Sequence, residues 1–213
     1  MQTDIFIKTC QHDAEYHKYC LKSIDRFCTG FRNTVVVDSE HPKGYLQQQV
    51  EKLHSDIHCP GADYILVTDS DTLFTEPVTP ESFMRNGKPM WFMTPAHLVS
   101  PDARTWFPAM KKFHGVEPTH EFMRRQPFMF PAWILKDLRS YCIAKHGRTL
   151  EQYIMESGRF SEWNVLGMFA WIYHQEHFSW IDTSKELPPA LVRQFWSHDP
   201  IEKNLEEINR ILS

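Results

Sequence analysis

The order of strand-like and helix-like segments in the first 70 residues limits the possible folds most strongly. Residues 4–9 (DIFIKT) are a strand-like segment, residues 34–37 are a β-branched run, and residues 64–68 (YILVT) are the clearest central strand. Between them, apolar residues recur at helical spacing from about 13 to 28 and from about 43 to 56. This pattern predicts an α/β fold with a mostly parallel sheet. We expect the strand at 34–37 to be buried on both faces.

The second half of the sequence predicts further elements around the same sheet. Strands are expected at 90–93 and 128–130, and helices at about 131–146, 149–157 and 161–177. Ser100-Pro101 and Asp199-Pro200 are typical of helix starts. The 213 residues contain no repeat, low-complexity segment or linker, so we predict a single domain.

Composition predicts the cellular compartment of the protein and the kinds of partner it attracts. A net charge of −4 offers no general attraction to nucleic acid or anionic membrane, although Lys111-Lys112 and Arg124-Arg125 leave a local basic patch open. The five cysteines are odd in number and form no CxxC motif, which is unlike a disulfide framework. There is no signal-peptide pattern and no apolar run of transmembrane length. We therefore expect a cytoplasmic protein that is not inserted in a membrane.

Two carboxylates follow the predicted central strand. In an open α/β sheet, ligands bind beyond the carboxyl ends of the strands, which is where Asp69-Ser70-Asp71 falls. Residues two apart in an extended chain point the same way, so the carboxylates would repel and the pKa of one would rise. Mg²⁺ or Mn²⁺ removes that repulsion, because these cations take one or two carboxylates together with substrate phosphates. The alternative is a polar turn after a strand.

The segment DYILVTDSDTLF resembles the DxD strand of GT-A-type glycosyltransferases. The chain also resembles a group of uncharacterised bacterial and phage proteins regarded as glycosyltransferases, through DIFIKTCQHDAEYHKYCLKSI, YLQQQVEKL, MRR and FSEWNVLGMFAW in that order. The resemblance implies a GT-A (Rossmann-like) fold and transfer of a sugar from a nucleoside diphosphate, with a UDP-sugar as the expected donor and Mn²⁺ or Mg²⁺ as cofactor. Residues 1–75 would then form the nucleotide-binding half and 76–213 the acceptor-binding half.

The resemblance also implies donor contacts in the first half. Thr9 and Asp38 end the first two predicted strands, where such enzymes receive the nucleoside, although both could simply start loops. The helix before DxD brings Gln48, Gln49 and Lys52 towards the nucleotide, and an ammonium near a diphosphate is physically sensible. We expect Gln49 and Lys52 to share the face opposite the apolar one, and a solvated helix face is the alternative.

Further candidates lie in the second half. Arg124 and Arg125 stand in an apolar stretch and could grip phosphate or carboxylate, or else form an internal salt bridge to Glu121 or Glu162. Glu162 follows the predicted cap Ser161.

Glu162 is the candidate base that deprotonates the acceptor in an inverting enzyme, or a helix-start acid stabilised by the helix dipole. Trp163 and Asn164 would contact the acceptor beside it. His198 lies late in the chain, where some GT-A enzymes supply a third metal ligand, and a surface histidine is its alternative.

Two other classes of protein remain open. A nucleotidyltransferase would combine a similar sheet with metal-binding aspartates, but the segment TCQHDAEYH has no glycine-rich phosphate loop. A non-catalytic nucleotide- or carbohydrate-binding module would show no turnover. The acceptor is expected to be a glycan, and the phage resemblance adds a modified base in DNA as a second possibility.

Overall fold

The computed structural model describes residues 1–39 and 44–213. The strands are β1 (Thr3–Thr9), β2 (Thr34–Asp38), β3 (Tyr64–Asp69), β4 (Thr72–Phe74), β5 (Met84–Arg85), β6 (Lys88–Pro95), β7 (His120–Glu121), β8 (Phe128–Pro131), β9 (Ser179–Asp182) and β10 (Val192–Gln194). The helices are α1 (Ala14–Phe27), α2 (Gly44–Lys52), α3 (Ser55–His58), α4 (Pro101–Arg104), α5 (Phe107–His114), α6 (Trp133–His146), α7 (Leu150–Ser157), α8 (Glu162–Tyr173) and α9 (Leu205–Leu212).

The central sheet has the strand order β2-β1-β3-β8. Strand β1 pairs in parallel with β2 and β3, and β8 pairs antiparallel with β3. The predicted mostly parallel sheet is therefore confirmed. Strand β3 lies between β1 and β8, and its four middle residues are buried. Its carboxyl end carries Asp69.

Alternating side chains of the sheet enter two separate cores. Phe6, Ile65 and Val67 pack on one face with residues of α2 and of α5 to α8. Ile5 and Leu66 pack on the other face against α1. Because both faces are covered by helices, residues 5–7 of β1 and 65–67 of β3 are apolar and buried on both faces.

Strand β2 differs from the prediction. Residues 34–37 were expected to be buried on both faces, but the burial of β2 alternates and Val36 is 38% exposed. The strand forms one edge of the sheet, since β1 is its pairing partner in the described chain. The β-branched run therefore predicted the strand correctly, but the prediction that it is buried on both faces is wrong because the strand lies at the edge of the sheet.

Several helix boundaries also differ. The helix predicted at 43–56 is divided into α2 and α3, and residue 43 lies outside the described residues. Ile57, expected on the apolar face, is 62% exposed, because it belongs to the separate turn of α3. The helix predicted to reach 177 ends at Tyr173. The last helix begins at Leu205, after a 3-10 turn at Ile201–Lys203.

Two smaller pairings complete the fold. Strand β6 pairs with β5, β7 and β9 beside the central sheet. Strand β10 pairs antiparallel with β4 and sets Gln194 opposite Thr72. This second pairing brings the late part of the chain beside Asp69-Ser70-Asp71.

Two further features concern the helices and the cysteines of the described chain. Within residues 1–39 and 44–213, no helix has both the length and the apolar character required to cross a bilayer. The five cysteines are all free thiols.

Candidate functional site

Asp69 ends β3, and Ser70 and Asp71 form the turn that leads into β4. The turn opens onto a cavity of about 530 Å³, which we call the Asp69 cavity. Its described lining consists of Lys8, Thr9, Cys10, His12, Asp13, Ser39, Gly44, Tyr45, Gln48, Asp69, Ser70, Asp71, Gln194, Trp196 and Ser197. The cavity therefore lies at the carboxyl ends of the parallel strands β1 and β3, where α/β proteins bind ligands.

The negative charges of Asp69 and Asp71 disfavour each other in the cavity. Burial, followed by the negative charge of Asp69, raises the pKa of Asp71 to about 6. Hydrogen bonds from Gln194 and from the Ser197 backbone N–H oppose this rise in the pKa only in part. The Gln194 Nε2 atom is 3.4 Å from Asp69 Oδ2 and 3.3 Å from Asp71 Oδ1, so one amide donates to both carboxylates. A cation at this place would stabilise the charged pair.

Behind Asp69 lies a buried polar group, which we call the Lys52 network and which consists of Gln49, Lys52 and Glu162. The Lys52 ammonium is 2.7 Å from Asp69 Oδ1 and 3.0 Å from Glu162 Oε1. The Gln49 side-chain carbonyl accepts the Glu162 backbone N–H at 3.1 Å. Burial lowers the pKa of Lys52, but the carboxylates of Asp69 and Glu162 more than offset this and raise the pKa above its usual range. Lys52 is therefore a fixed cation.

The spacing on α2 explains why the Lys52 network forms. Gln49 and Lys52 are three residues apart and share one helix face, as expected. They are 0% and 4% exposed, so the alternative of a solvated face is wrong. Glu162 is the first residue of α8, which packs against α2 and delivers the carboxylate to Lys52.

Gln126 holds Asp69 from a third side. Its side-chain carbonyl accepts the Asp69 backbone N–H at 3.0 Å, and its Nε2 donates to Asp69 Oδ2. Both ends of this amide bond the same residue, so its orientation is fixed. Gln126 precedes β8, the strand that pairs with β3.

The structure brings part of the predicted donor site together. Thr9, Gln48, Asp69, Ser70 and Asp71 all line the Asp69 cavity. Asp38 lines a neighbouring cavity of about 630 Å³ that shares Thr9, Cys10 and Ser39 with the first. Gln49 and Lys52 lie behind the cavity wall rather than in it. The contacts of all these residues with a nucleotide remain predictions.

Trp163 and Asn164 are not brought to the cavity. Trp163 is 2% exposed and stacks on Phe128 with ring centroids 4.3 Å apart. Asn164 is completely buried, and its side-chain carbonyl accepts the Phe122 backbone N–H at 2.8 Å. Both side chains are used by the core, so in this conformation neither is presented to an acceptor.

Arg124 and Arg125 have different surroundings. Arg124 Nε is 2.7 Å from a carboxylate oxygen of the buried Glu121, which is the internal salt bridge that the sequence left open. Arg125 donates to the Pro188 carbonyl and lies over the Phe92 ring, with no acidic partner among the described residues. Both arginines line a cavity of about 390 Å³ away from the Asp69 turn.

His198 is exposed and is not among the described residues that line the Asp69 cavity. The neighbouring Ser197 faces the turn instead, through its backbone N–H at 3.2 Å from Asp71 Oδ2. In the described part of the chain, no group of three or more His, Cys, Asp or Glu residues is placed to hold a metal. Among the metal-donor side chains of the described lining, the Asp69 and Asp71 carboxylates are the two that share an amide, that of Gln194. This set fits a Mg²⁺ or Mn²⁺ ion whose remaining ligands come from substrate phosphates and water.

Sequence reasoning missed several residues of the cavity. Lys8 and Asp13 could have been found, because Lys8 interrupts an apolar strand and Asp13 begins the helix that follows it. Asp13 accepts the Ser70 hydroxyl at 2.9 Å. Gln194 and Trp196 gave no comparable signal, since Gln194 ends a strand of only three residues and Trp196 follows it.

No protein-family model and no curated protein sequence matches the chain. Among solved structures, a glycosyltransferase involved in the glycosylation of the major capsid of PBCV-1 is similar, with a TM-score of 0.54 and 10% identity. The alignment covers 99% of this chain and 100% of that one. The galactosyltransferase LgtC, solved with donor and acceptor sugar analogues, aligns with a TM-score of 0.55 and 12% identity over 98% of this chain and 95% of that one. The chain therefore has the single-domain α/β fold of GT-A-type glycosyltransferases.

Proposed function

We propose that this protein is a metal-dependent glycosyltransferase that moves a sugar from a nucleoside-diphosphate sugar, with UDP as the expected nucleotide, to an acceptor hydroxyl. One observation carries the proposal. The Asp69 and Asp71 carboxylates share one amide donor in the lining of a cavity of about 530 Å³, at the carboxyl ends of parallel strands. Such a pair is unfavourable without a cation and favourable with one. The position of this pair at the carboxyl ends of the parallel strands supports a nucleotide site there.

The metal would be held by Asp69 and Asp71. When bound, Mn²⁺ or Mg²⁺ would neutralise charge on the departing diphosphate. The chain itself would keep Asp69 ready for this task, because Lys52 and Gln126 hold its carboxylate from two sides. A metal-binding side chain that is already held in its bound orientation loses less conformational entropy when the metal binds.

Aromatic rings border the cavity. Tyr45 is 48% exposed and Trp196 is 60% exposed, and both belong to the cavity lining. Flat aromatic rings stack well on bases and sugars. We assign them to binding of the base or the sugar, together with the polar lining from Thr9, His12 and Gln48.

Glu162 was predicted to be the acceptor's general base, and that role remains a prediction. Its carboxylate is 9% exposed, is paired with Lys52 and lies outside the described cavity lining. Because the carboxylate is buried, bonded to Lys52 and outside the described cavity lining, the geometry favours a positioning role through Lys52 and Asp69. We retain the base role as the alternative that the Glu162→Gln comparison below decides.

The acceptor is proposed to be a glycan hydroxyl. The chain is acidic overall, which does not favour a DNA acceptor, while Arg124 and Arg125 line a separate cavity that could receive an anionic group. Oligonucleotides carrying hydroxymethylated bases and small glycans would therefore be compared as acceptors.

The test of this proposal is turnover without an acceptor. A glycosyltransferase hydrolyses its nucleotide-sugar slowly to free nucleotide and sugar in the presence of Mn²⁺. A screen of nucleoside diphosphates by melting-temperature shift would select the donor, and nucleotide release would then be measured for the wild type and for Asp69→Asn. We expect release that requires Mn²⁺ and is lost in the variant. Binding without release would identify a non-catalytic module, and release of pyrophosphate from a nucleoside triphosphate would identify a nucleotidyltransferase.

A further inference from the structure

The backbone places Gln194 beside the two carboxylates. Antiparallel pairing of β10 with β4 sets Gln194 opposite Thr72, the residue after Asp71. The Phe195 backbone N–H donates to the Asp71 carbonyl at 2.7 Å and extends the pairing by one step. The position of Gln194 is therefore fixed by main-chain hydrogen bonds and does not depend on its side-chain contacts.

The Gln194 amide lies in the space that the two carboxylates share. Its nitrogen is within 3.5 Å of one oxygen from each carboxylate, and both hydrogen bonds are longer than the usual 2.9–3.0 Å. The two carboxylates therefore face each other across one weakly bonded amide. A cation bound by Asp69 and Asp71 would take the same space and displace the N–H groups.

Gln126 and Gln194 both contact Asp69, but only one of them is free to turn. The side-chain carbonyl oxygen of Gln126 accepts a hydrogen bond from the Asp69 backbone N–H. The side-chain carbonyl oxygen of Gln194 accepts no hydrogen bond from any residue in 1–39 or 44–213. The terminal torsion of glutamine is broad, so half a turn replaces the Gln194 nitrogen by its oxygen at little cost.

We propose that Gln194 supplies, through its amide oxygen, a third protein ligand to the divalent cation held by Asp69 and Asp71. This inference rests on the metal dependence in the proposed function. Amide and carboxylate oxygens suit Mg²⁺ and Mn²⁺, and the remaining positions belong to phosphate oxygens and water. Gln194 then takes the place that the resemblance to GT-A enzymes suggested for His198, which is exposed and does not line the described cavity.

The experiment measures Mn²⁺ affinity directly, by titrating the protein with Mn²⁺ alone and following the electron paramagnetic resonance signal of the free ion. Gln194→Ala and Gln194→Leu both remove the oxygen, and two variants guard against misfolding of either one. We expect each to bind Mn²⁺ at least about 10-fold more weakly than the wild type. Gln194→Glu keeps an oxygen and should retain the wild-type affinity. Arg193→Gln, on the same strand with an exposed side chain, is the matched control with unchanged affinity.

The direction of the change in Mn²⁺ affinity shows whether Gln194 is a metal ligand or only a hydrogen-bond donor to the carboxylates. If Gln194 only donated to the carboxylates, it would compete with the cation, and its removal would leave Mn²⁺ affinity unchanged or raise it. That result in folded Gln194→Ala or Gln194→Leu overturns the inference, as does loss of Mn²⁺ affinity in His198→Ala alone. Failure of the wild type to bind Mn²⁺ would contradict the proposed metal dependence itself, so the two failures are distinguished by the wild-type titration.

Discussion

The two sides of Asp69 are built differently. On the cavity side, Asp71 and Gln194 are held by long hydrogen bonds and the pKa of Asp71 is raised to about 6. On the buried side, the Lys52 ammonium lies 2.7 Å from Asp69 and 3.0 Å from Glu162. The cavity side offers the carboxylates only a neutral amide, whereas the buried side places an ammonium between two carboxylates. We infer that residues of the cavity side touch the ligand, while residues of the buried side hold Asp69 in position.

Removal of Lys52 should have the largest effect. Lys52→Met leaves Asp69 and Glu162 without their counter-charge, and breaking a buried ion pair in this way costs about 3–5 kcal/mol. Urea denaturation would measure this loss in the free energy of unfolding. Lys18→Met is the control, because its pair with Glu15 is more than half exposed and is worth at most about 1 kcal/mol. Equal losses in the two variants would show that the buried side is not specially stabilised.

The interior beneath α8 should make stability sensitive to acid. Burial lowers the pKa of His114 to about 4, and its Nε2–H donates to the Val165 carbonyl in α8. Because the folded pKa lies below the unfolded value of 6.5, stability is full above pH 6.5 and falls as the pH drops towards 4. The loss amounts to about 3 kcal/mol.

This pH dependence would be measured as the free energy of unfolding between pH 4 and pH 8. His114→Gln keeps a donor for Val165 and cannot be protonated, so the difference between wild type and variant isolates one histidine. Parallel curves for the two proteins would contradict the assignment.

Glu162→Gln distinguishes a positioning residue from a general base. As a partner of Lys52, it should cost about 1–2 kcal/mol of stability and leave turnover within about threefold. As a base, it should lower turnover by about 10²–10⁴-fold with little effect on nucleotide binding. Glu121→Gln is the matched control, since Glu121 is also buried and paired with an arginine. Turnover with acceptor would be compared at equal folded fraction.

The smallest effect is expected at the cavity rim. Trp196→Ala removes a ring that is 60% exposed, so the melting temperature should not change. Loss of stacking should weaken nucleoside-diphosphate binding about fivefold, which corresponds to about 1 kcal/mol. Trp133→Ala, which removes a ring 40% exposed that does not line the described cavity, should leave binding unchanged. Equal affinity of both variants would remove Trp196 from the site.

Local patterns in the sequence were enough to predict the central strand β3 and the carboxylates at its end. The same applies to the shared face of Gln49 and Lys52, because helix spacing fixes it. Whether that face met solvent or Glu162 depended on the packing of α2 against α8, which no local pattern encodes. The edge position of β2 was missed for a similar reason, since strand order is a property of the whole sheet.

The late part of the site was the least predictable. Gln194 reaches Asp69 through a strand of three residues whose sequence has no periodic signal. Trp163 and Asn164 were assigned to the acceptor through a resemblance, but the core uses both side chains. Adjacent residues at the start of α8 thus serve different regions, with Glu162 in the Lys52 network and the next two residues in the core.

Calorimetry of UDP binding to the wild type and to Asp71→Asn tests the central claim most directly. We predict that the wild type binds UDP with Mn²⁺ and loses this binding in a chelator, and that Asp71→Asn weakens metal-dependent binding by about 100-fold. The variant should remain folded with no loss of melting temperature, because burial and Asp69 already disfavour the charged form of Asp71. Undiminished Mn²⁺-dependent binding of UDP by folded Asp71→Asn would contradict the account.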